Sequence, residues 1–291
     1  MACDLHTHST ASDGTDPPAA LARKAADIGL TALALTDHDT TAGLTDCEAA
    51  CLDAGVRFVP GIELSADPGS LRANAKDGRV GTLHILGLAI DPQADHLGRI
   101  QARLRQARAE RNPELVANLQ ELGFDITYDQ VLEIAGGDDQ STIVGRPHIA
   151  QALVNAGVVD SVSEAFNRYI GEGRPAYTRK DRLPPEEAIE AIHAAGGVAI
   201  LAHPVQLKLS PDDLATAIAT LIDAGLDGLE VHHSDHGDQD VTQLTALANR
   251  HGLLTSGGSD YHGDRKSIEL GQPSVPAAWC DRLLEAAGAT L

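Results

Sequence analysis

The chain has 291 residues and is strongly acidic, with 42 Asp and Glu against 22 Lys and Arg and a net charge of −20. That imbalance speaks against a general nucleic-acid coat, and no run approaches the roughly 18 apolar residues that span a bilayer. Only 3% of residues are aromatic, so Ala, Val, Leu and Ile must fill the interior.

Cys3 to Thr7 is a short predicted strand. It follows Met1 so closely that no room is left for a signal peptide, and the cytoplasm is the expected location. Pro17-Pro18 opens a helix to about Ile28, closed by Gly29. Thr31 to Thr36 is a second strand, and a helix from about Thr41 to Ala54 ends at Gly55. Cys47 and Cys51 lie four apart on that helix beside Ala49, Ala50 and Leu52, which reads as a buried apolar face; with Cys3 and Cys280 they make no disulfide framework. Val56 to Leu64 and Thr82 to Ile90 are the third and fourth strands, joined by a turn around residues 67–81.

From about 97 to 122 the apolar spacing turns helical (Ile100, Leu104, Ala107, Leu115, Leu119, Leu122), with Pro113 expected to break or restart it. Further helices are expected at 129–135, 146–156 and 160–170, with no clear strand, so residues 96–182 read as a helical insertion. This stretch holds 11 Lys and Arg against 12 Asp and Glu, near-neutral in an acidic chain. Its five arginines between Arg99 and Arg111 suit an anionic substrate, and equally a solvated helix laced with ion pairs. The strand–helix rhythm then resumes. A helix at 185–195 leads to a strand at 198–202, a helix at 211–223 to a strand at 228–231, and a helix at 238–250 to a strand at 253–256. A last helix, at 276–287, and Trp279 look structural. Short parallel strands separated by helices imply an α/β fold, and seven such units suggest a barrel over 1–95 and 183–291. The active site of such a barrel lies at the C-terminal strand ends.

Histidines and acids gather where those ends fall. His6 and His8 alternate on the first strand and point to one face. Asp13 follows in a Ser-Asp-Gly loop, His38 stands past the second strand, and Glu63 ends the third. His84 lies in the fourth, His203 after the fifth, and Asp260 and His262 after the seventh. A lone strand histidine is usually a core or surface residue. Six of them with three acids instead point to a multi-metal site. Asp37 and Asp39 flank His38 as partners that orient it or as solvated acids. Tyr261 is expected between two ligands, and His96, His193, His236 and His251 at the surface.

The combination His6-Thr-His8, Thr36-Asp-His38, Gly61-Ile-Glu63, Ala202-His203-Pro204 and Ser259-Asp260-Tyr-His262 resembles the PHP (polymerase and histidinol phosphatase) domain family, over about residues 3–95 and 183–275. The resemblance implies a distorted (β/α)7 barrel binding two or three divalent ions. His6, His8, Glu63 and Asp260 would hold one ion, Glu63, His84 and His203 a second, and Asp13, His38 and His262 a third. Family members with three ions often carry histidine at the position of Asp13. A carboxylate there favours Mn²⁺ over Zn²⁺ or Fe²⁺, or weak occupancy. Gly145-Arg146-Pro147-His148 and the helix bearing Arg108 and Arg111 are similar to the TrpH-like subgroup, whose members resemble nucleoside 3′,5′-bisphosphate phosphatases, some of which trim short RNA from the 5′ end.

The expected reaction is removal of the 3′-phosphate from a nucleoside 3′,5′-bisphosphate by in-line attack of a metal-bridging hydroxide. Arg146, with its planar fork, is expected to bind a phosphate, helped by His148, and Arg111 to hold the distal one. His232 or His233 would donate a proton to the leaving group. Exonuclease action on short oligoribonucleotides and histidinol-phosphatase-like hydrolysis are the alternatives. An inactive structural barrel and C–N cleavage fit less well, and no membrane or stable protein partner is implied.

Overall fold

The computed structural model describes residues 2–69, 71, 80–137 and 143–289. Most of the turn expected at 67–81 therefore lies outside the described residues. Among them, eight strands form one sheet: β1 (Ala2–Asp4), β2 (Ala32–Leu35), β3 (Arg57–Ala66), β4 (Leu83–Leu88), β5 (Val198–Leu201), β6 (Gly228–His233), β7 (Leu254–Gly258) and β8 (Val275–Pro276). The order is β7-β6-β5-β4-β3-β2-β1-β8. The Leu5 N–H donates to the Gly257 carbonyl at 3.2 Å, and Thr7 bridges to Tyr261. These contacts bring β1 beside β7 and nearly close the barrel.

Period-two alternation sorts the strand side chains. Ala32, Ala34, Leu86, Leu88 and Val59 join an inner cluster that Cys280, Leu283 and Leu284 of α10 (Ala277–Ala286) complete. Leu33, Leu35, Ile62, Leu64, Ile85 and Leu201 face the surrounding helices. These helices are α1 (Pro18–Asp27), α2 (Leu44–Ala54), α7 (Pro185–Ala194), α8 (Pro211–Asp223) and α9 (Asp238–His251). Cys47 and Cys51 are buried in this layer, and all four cysteines are free.

The structure corrects the expected all-parallel set. β4 runs antiparallel to both β3 and β5, and the short β8 is antiparallel to β1. Apolar periodicity reports spacing and burial but carries no sign for direction. The first strand is also shorter than expected. It ends at Asp4, after which the chain bonds across to β7.

Pro113 does not interrupt its helix. α3 (Asp95–Glu121) is continuous through it. The lost N–H is outweighed because packing holds both halves: Leu97, Ile100 and Leu104 sit in the barrel core, while Leu115, Val116 and Leu119 sit in a second core. That second core is shared with α4 (Tyr128–Ile134), α5 (Arg146–Asn155), α6 (Val162–Ala165) and the π-turn Phe166–Ile170. Among the described residues no helix is long and apolar enough to cross a membrane.

Candidate metal centre

Glu63 is the hub. It lies on the inward phase of β3, after Val59 and Gly61, and is buried. Its Oε1 is 2.7 Å from His84 Nδ1 and 2.9 Å from His203 Nε2. Its Oε2 is 2.8 Å from His38 Nδ1, 3.3 Å from His8 Nε2 and 3.5 Å from His6 Nε2. Asp260 Oδ1 approaches His8 Nε2 at 3.2 Å, His262 Nδ1 at 3.4 Å and His6 Nε2 at 3.5 Å. Asp13 reaches His262 at 3.3 Å and His8 and His38 at 3.8 Å. All nine residues singled out in the sequence thus meet at one end of the barrel.

The reversal of β4 explains how His84 joins them. His84 is the second residue of its strand, which in a parallel barrel would lie at the opposite end. Running backwards, β4 pairs His84 with Ser65 near the end of β3 and so lifts it to the rim.

Ligand atoms within 4.8 Å of one another form four overlapping groups: His8, Asp13, His38, His262; His6, Glu63, His203; His6, His233, Asp260; and His38, Glu63, His84. His6 Nε2, His8 Nδ1 and Nε2, Glu63 Oε2 and His233 Nε2 are buried without a hydrogen-bond partner. Buried polar atoms are rarely left unpaired, and an inward-facing set of imidazole and carboxylate donors fits divalent cations. Burial raises the Glu63 carboxyl, but facing His38, His84 and His6 outweigh it and hold it well below the ordinary range. Burial pushes the His84 imidazole down to about 3, and burial with His8 pushes His262 down to about 4. These rings are neutral and keep a lone pair to offer.

The supporting contacts include residues the sequence did not single out. Glu230 is fully buried; its Oε1 accepts from His6 Nδ1 at 3.0 Å and its Oε2 from the His203 N–H at 2.7 Å, which turns His6 Nε2 toward the centre. The only hint was an acid between the apolar residues Leu229 and Val231 of a buried strand. Asp37 and Asp39 neither orient His38 nor face solvent. Asp37 accepts from Ser9 and Ser12. Asp39 accepts from the Ser65 N–H at 2.8 Å, from Arg108 and from Lys180 Nζ at 3.2 Å, tying α3 and residue 180 to the barrel rim. Asp39→Asn is expected to lose about 3 kcal/mol of stability, because two buried cations lose their counter-charge. Urea denaturation tests this, and an unchanged midpoint would refute it.

Of the paired histidines, His233 reaches the centre, with Nε2 3.5 Å from Asp260 Oδ2, while His232 stacks edge-on against Trp279 at 4.9 Å. The Tyr261 hydroxyl, between two candidate ligands in sequence, points outward and donates to Asp16 at 2.8 Å.

Beside the acids and imidazoles lies a cavity of about 250 Å³, lined by Asp13, His38, His84 and His262 together with Arg108, Arg111, Arg146, Lys180 and Arg182. The Arg146 guanidinium rests over the rings of Phe166 at 5.3 Å and Tyr177 at 5.9 Å. Burial, then neighbouring Arg182, lowers it to about 10; burial, then Arg146 and Arg108, lowers Arg111 to about 9. Such mutual repulsion is relieved by an anion. His148 does not line the cavity; its Nδ1 accepts from the Gly145 N–H at 3.0 Å and caps α5, which carries Arg146. Lys180, Arg182, Arg265 and Lys266 were missed, since isolated basic residues on loops carry no pattern.

A 3′,5′-nucleoside bisphosphate phosphatase from Chromobacterium violaceum is 34% identical over 259 residues, covering 89% of this chain and 86% of its own length. A 5′-3′ exoribonuclease from Haemophilus influenzae is 35% identical over 272 residues, covering 92% and 93%. Among solved structures, a Bifidobacterium adolescentis protein provisionally named a metal-dependent phosphoesterase superposes with a TM-score of 0.86 at 34% identity, covering 98% of this chain and 96% of its own. The PHP domain profile matches residues 4–171. A barrel whose rim gathers acids and imidazoles beneath a cationic cavity is the architecture of a metal-dependent phosphoesterase. The chain belongs to the PHP domain family.

Proposed function

We propose that this protein removes the 3′-phosphate from nucleoside 3′,5′-bisphosphates, such as adenosine 3′,5′-bisphosphate, acting in the cytoplasm with two or three divalent ions, Mn²⁺ foremost. One observation carries the reading: candidate metal ligands and a cluster of arginines line the same cavity. A substrate with two phosphates can engage both sets at once.

Divalent ions supply acidified water and neutralise charge on the phosphoryl oxygens. Glu63 would hold two of them through its two oxygens, with His84 and His203 on one side and His6, His8 and Asp260 on the other. Asp13, His38 and His262 would hold the third, where the carboxylate favours Mn²⁺. Arg146 and Arg111 take the distal phosphate. The faces of Phe166 and Tyr177 fix the plane of Arg146, so its bidentate geometry is set before substrate arrives. His233, with Nε2 3.5 Å from Asp260 Oδ2, would donate the proton to the leaving group. Residues 96–182 act as a cover that excludes water and reads substrate length.

Exonuclease action on short RNA is the second reading, favoured by the equally similar Haemophilus influenzae relative. A phosphate-release screen with Mn²⁺ over 3′,5′-bisphosphates, 5′-monophosphates, short RNAs and histidinol phosphate separates these readings. Bisphosphates are expected to be the best substrates; a preference for simple 5′-monophosphates would overturn the proposal. Arg146→Ala should lower kcat/KM for the bisphosphate about 10- to 100-fold, the value of a charge-assisted pair, and leave a 3′-monophosphate nearly unaffected.

A further inference from the structure

We propose that Arg265 is a catalytic residue that grips the phosphate under attack, from the barrel side of the cavity. The inference rests on the phosphoesterase reading above and adds a division of labour between the two cationic walls.

Arg265 lies three residues beyond His262, at the end of the 3-10 turn Gly263–Arg265. That turn is tightly anchored. The Thr15 N–H donates to the His262 carbonyl at 3.1 Å, and the Asp264 N–H donates to Thr15 Oγ1 at 2.9 Å. Gly263 adopts φ 68°, and a Cβ there would stand 2.0 Å from Thr15 Oγ1, so only glycine permits this approach. The arginine therefore springs from backbone pinned to the loop that carries Asp13.

Its side chain lines the same cavity as Asp13, His38 and His262. Guanidinium atoms Nε and Nη1 are buried without a hydrogen-bond partner. Neighbouring cations are already committed: Lys266 Nζ pairs with Asp260 Oδ2, and Arg108 with Asp39. A half-buried guanidinium with idle donors on both its edges, set beside the candidate metal ligands, matches a tetrahedral oxyanion, which accepts charge-assisted N–H bonds. Its lowered pKa, caused by burial and opposed by Asp13, agrees with that seclusion. Arg146 and Arg111 come from the helical segment instead. The phosphate common to every substrate would thus meet Arg265, and the second phosphate would meet Arg146.

The test compares wild type, Arg265→Gln and Arg265→Lys, each loaded with Mn²⁺, on adenosine 3′,5′-bisphosphate and adenosine 3′-monophosphate. Affinity for inorganic phosphate is measured by calorimetry and bound metal by elemental analysis. Arg265→Gln should lower kcat/KM for both nucleotides by the same factor, about 10- to 100-fold, and weaken inorganic phosphate about tenfold or more. Arg265→Lys should fall between, and metal content should not change. A loss confined to the bisphosphate would overturn the proposal, because Arg265 would then serve the distal phosphate. So would unchanged kinetics with unchanged phosphate affinity, or a parallel loss of metal. If wild type releases phosphate from neither nucleotide, the functional reading falls, and the phosphate-affinity comparison alone decides the clamp.

Discussion

Glu63→Gln protein is expected to lose at least about 10³-fold in kcat/KM for phosphate release, equivalent to ~4 kcal/mol of transition-state stabilisation. Both carboxylate oxygens lie within 3.5 Å of imidazole nitrogens, on two sides of the centre. Glutamine keeps the volume but offers one neutral carbonyl oxygen and an NH₂ group that cannot ligate a cation. Metal content should fall in the same protein, and measuring it beside activity separates lost ions from lost chemistry. A Glu63→Gln enzyme with full metal and near-normal rates would remove Glu63 from its assigned role and, with it, the grouping of ligands around it.

The second large effect should follow chelation. Dialysis against a chelator should abolish phosphate release, and Mn²⁺ should restore it. The melting temperature should also drop. An ion present at 1,000 times its dissociation constant stabilises the folded state by about 4 kcal/mol, which in a chain of this size corresponds to a shift on the order of 10 °C. Calorimetry with and without Mn²⁺ reads this directly. Identical melting curves and metal-independent turnover would refute a metal centre built from these residues.

Much of the centre could be read from the chain because most candidate ligands follow a short apolar run, and the ends of strands in a barrel share one rim. Strand-end placement put His6, Glu63 and Asp260 on one rim, and the resemblance to the PHP family grouped them around one ion. Spacing was silent where geometry depends on chain direction. A reader of Leu83–Leu88 sees a nearly continuous apolar run but no sign that the strand runs backwards, yet that reversal is what carries His84 to the rim. Pro113 was expected to interrupt a helix, since local chemistry disfavours it there; packing at both ends decided otherwise. Glu230 hid inside a strand whose neighbours are apolar. The basic residues of the cavity come from unrelated loops, and only the fold makes them neighbours. His232 and His233 differ by one position, and the bulge between Glu230 and His232 fixes which of them turns inward.

The reversed fourth strand has a further consequence for the architecture. It delivers the chain to the foot of the barrel, where the Asp91 N–H bonds to the Ala195 carbonyl. The 27 residues of α3 then form a mast of about 40 Å. Its lower third leans on the barrel wall, Arg108 moors it at Asp39 about 20 Å up, and the rest stands clear to carry Arg111 and the small helices. Because one uninterrupted helix sets the bearing of everything above the mooring, deleting a single residue below Arg108 would swing that superstructure by about 100°. Beyond the masthead the chain is roped back to the barrel at Ile143–Ala11 and Lys180–Asp39, so a turned shaft would pull on both moorings.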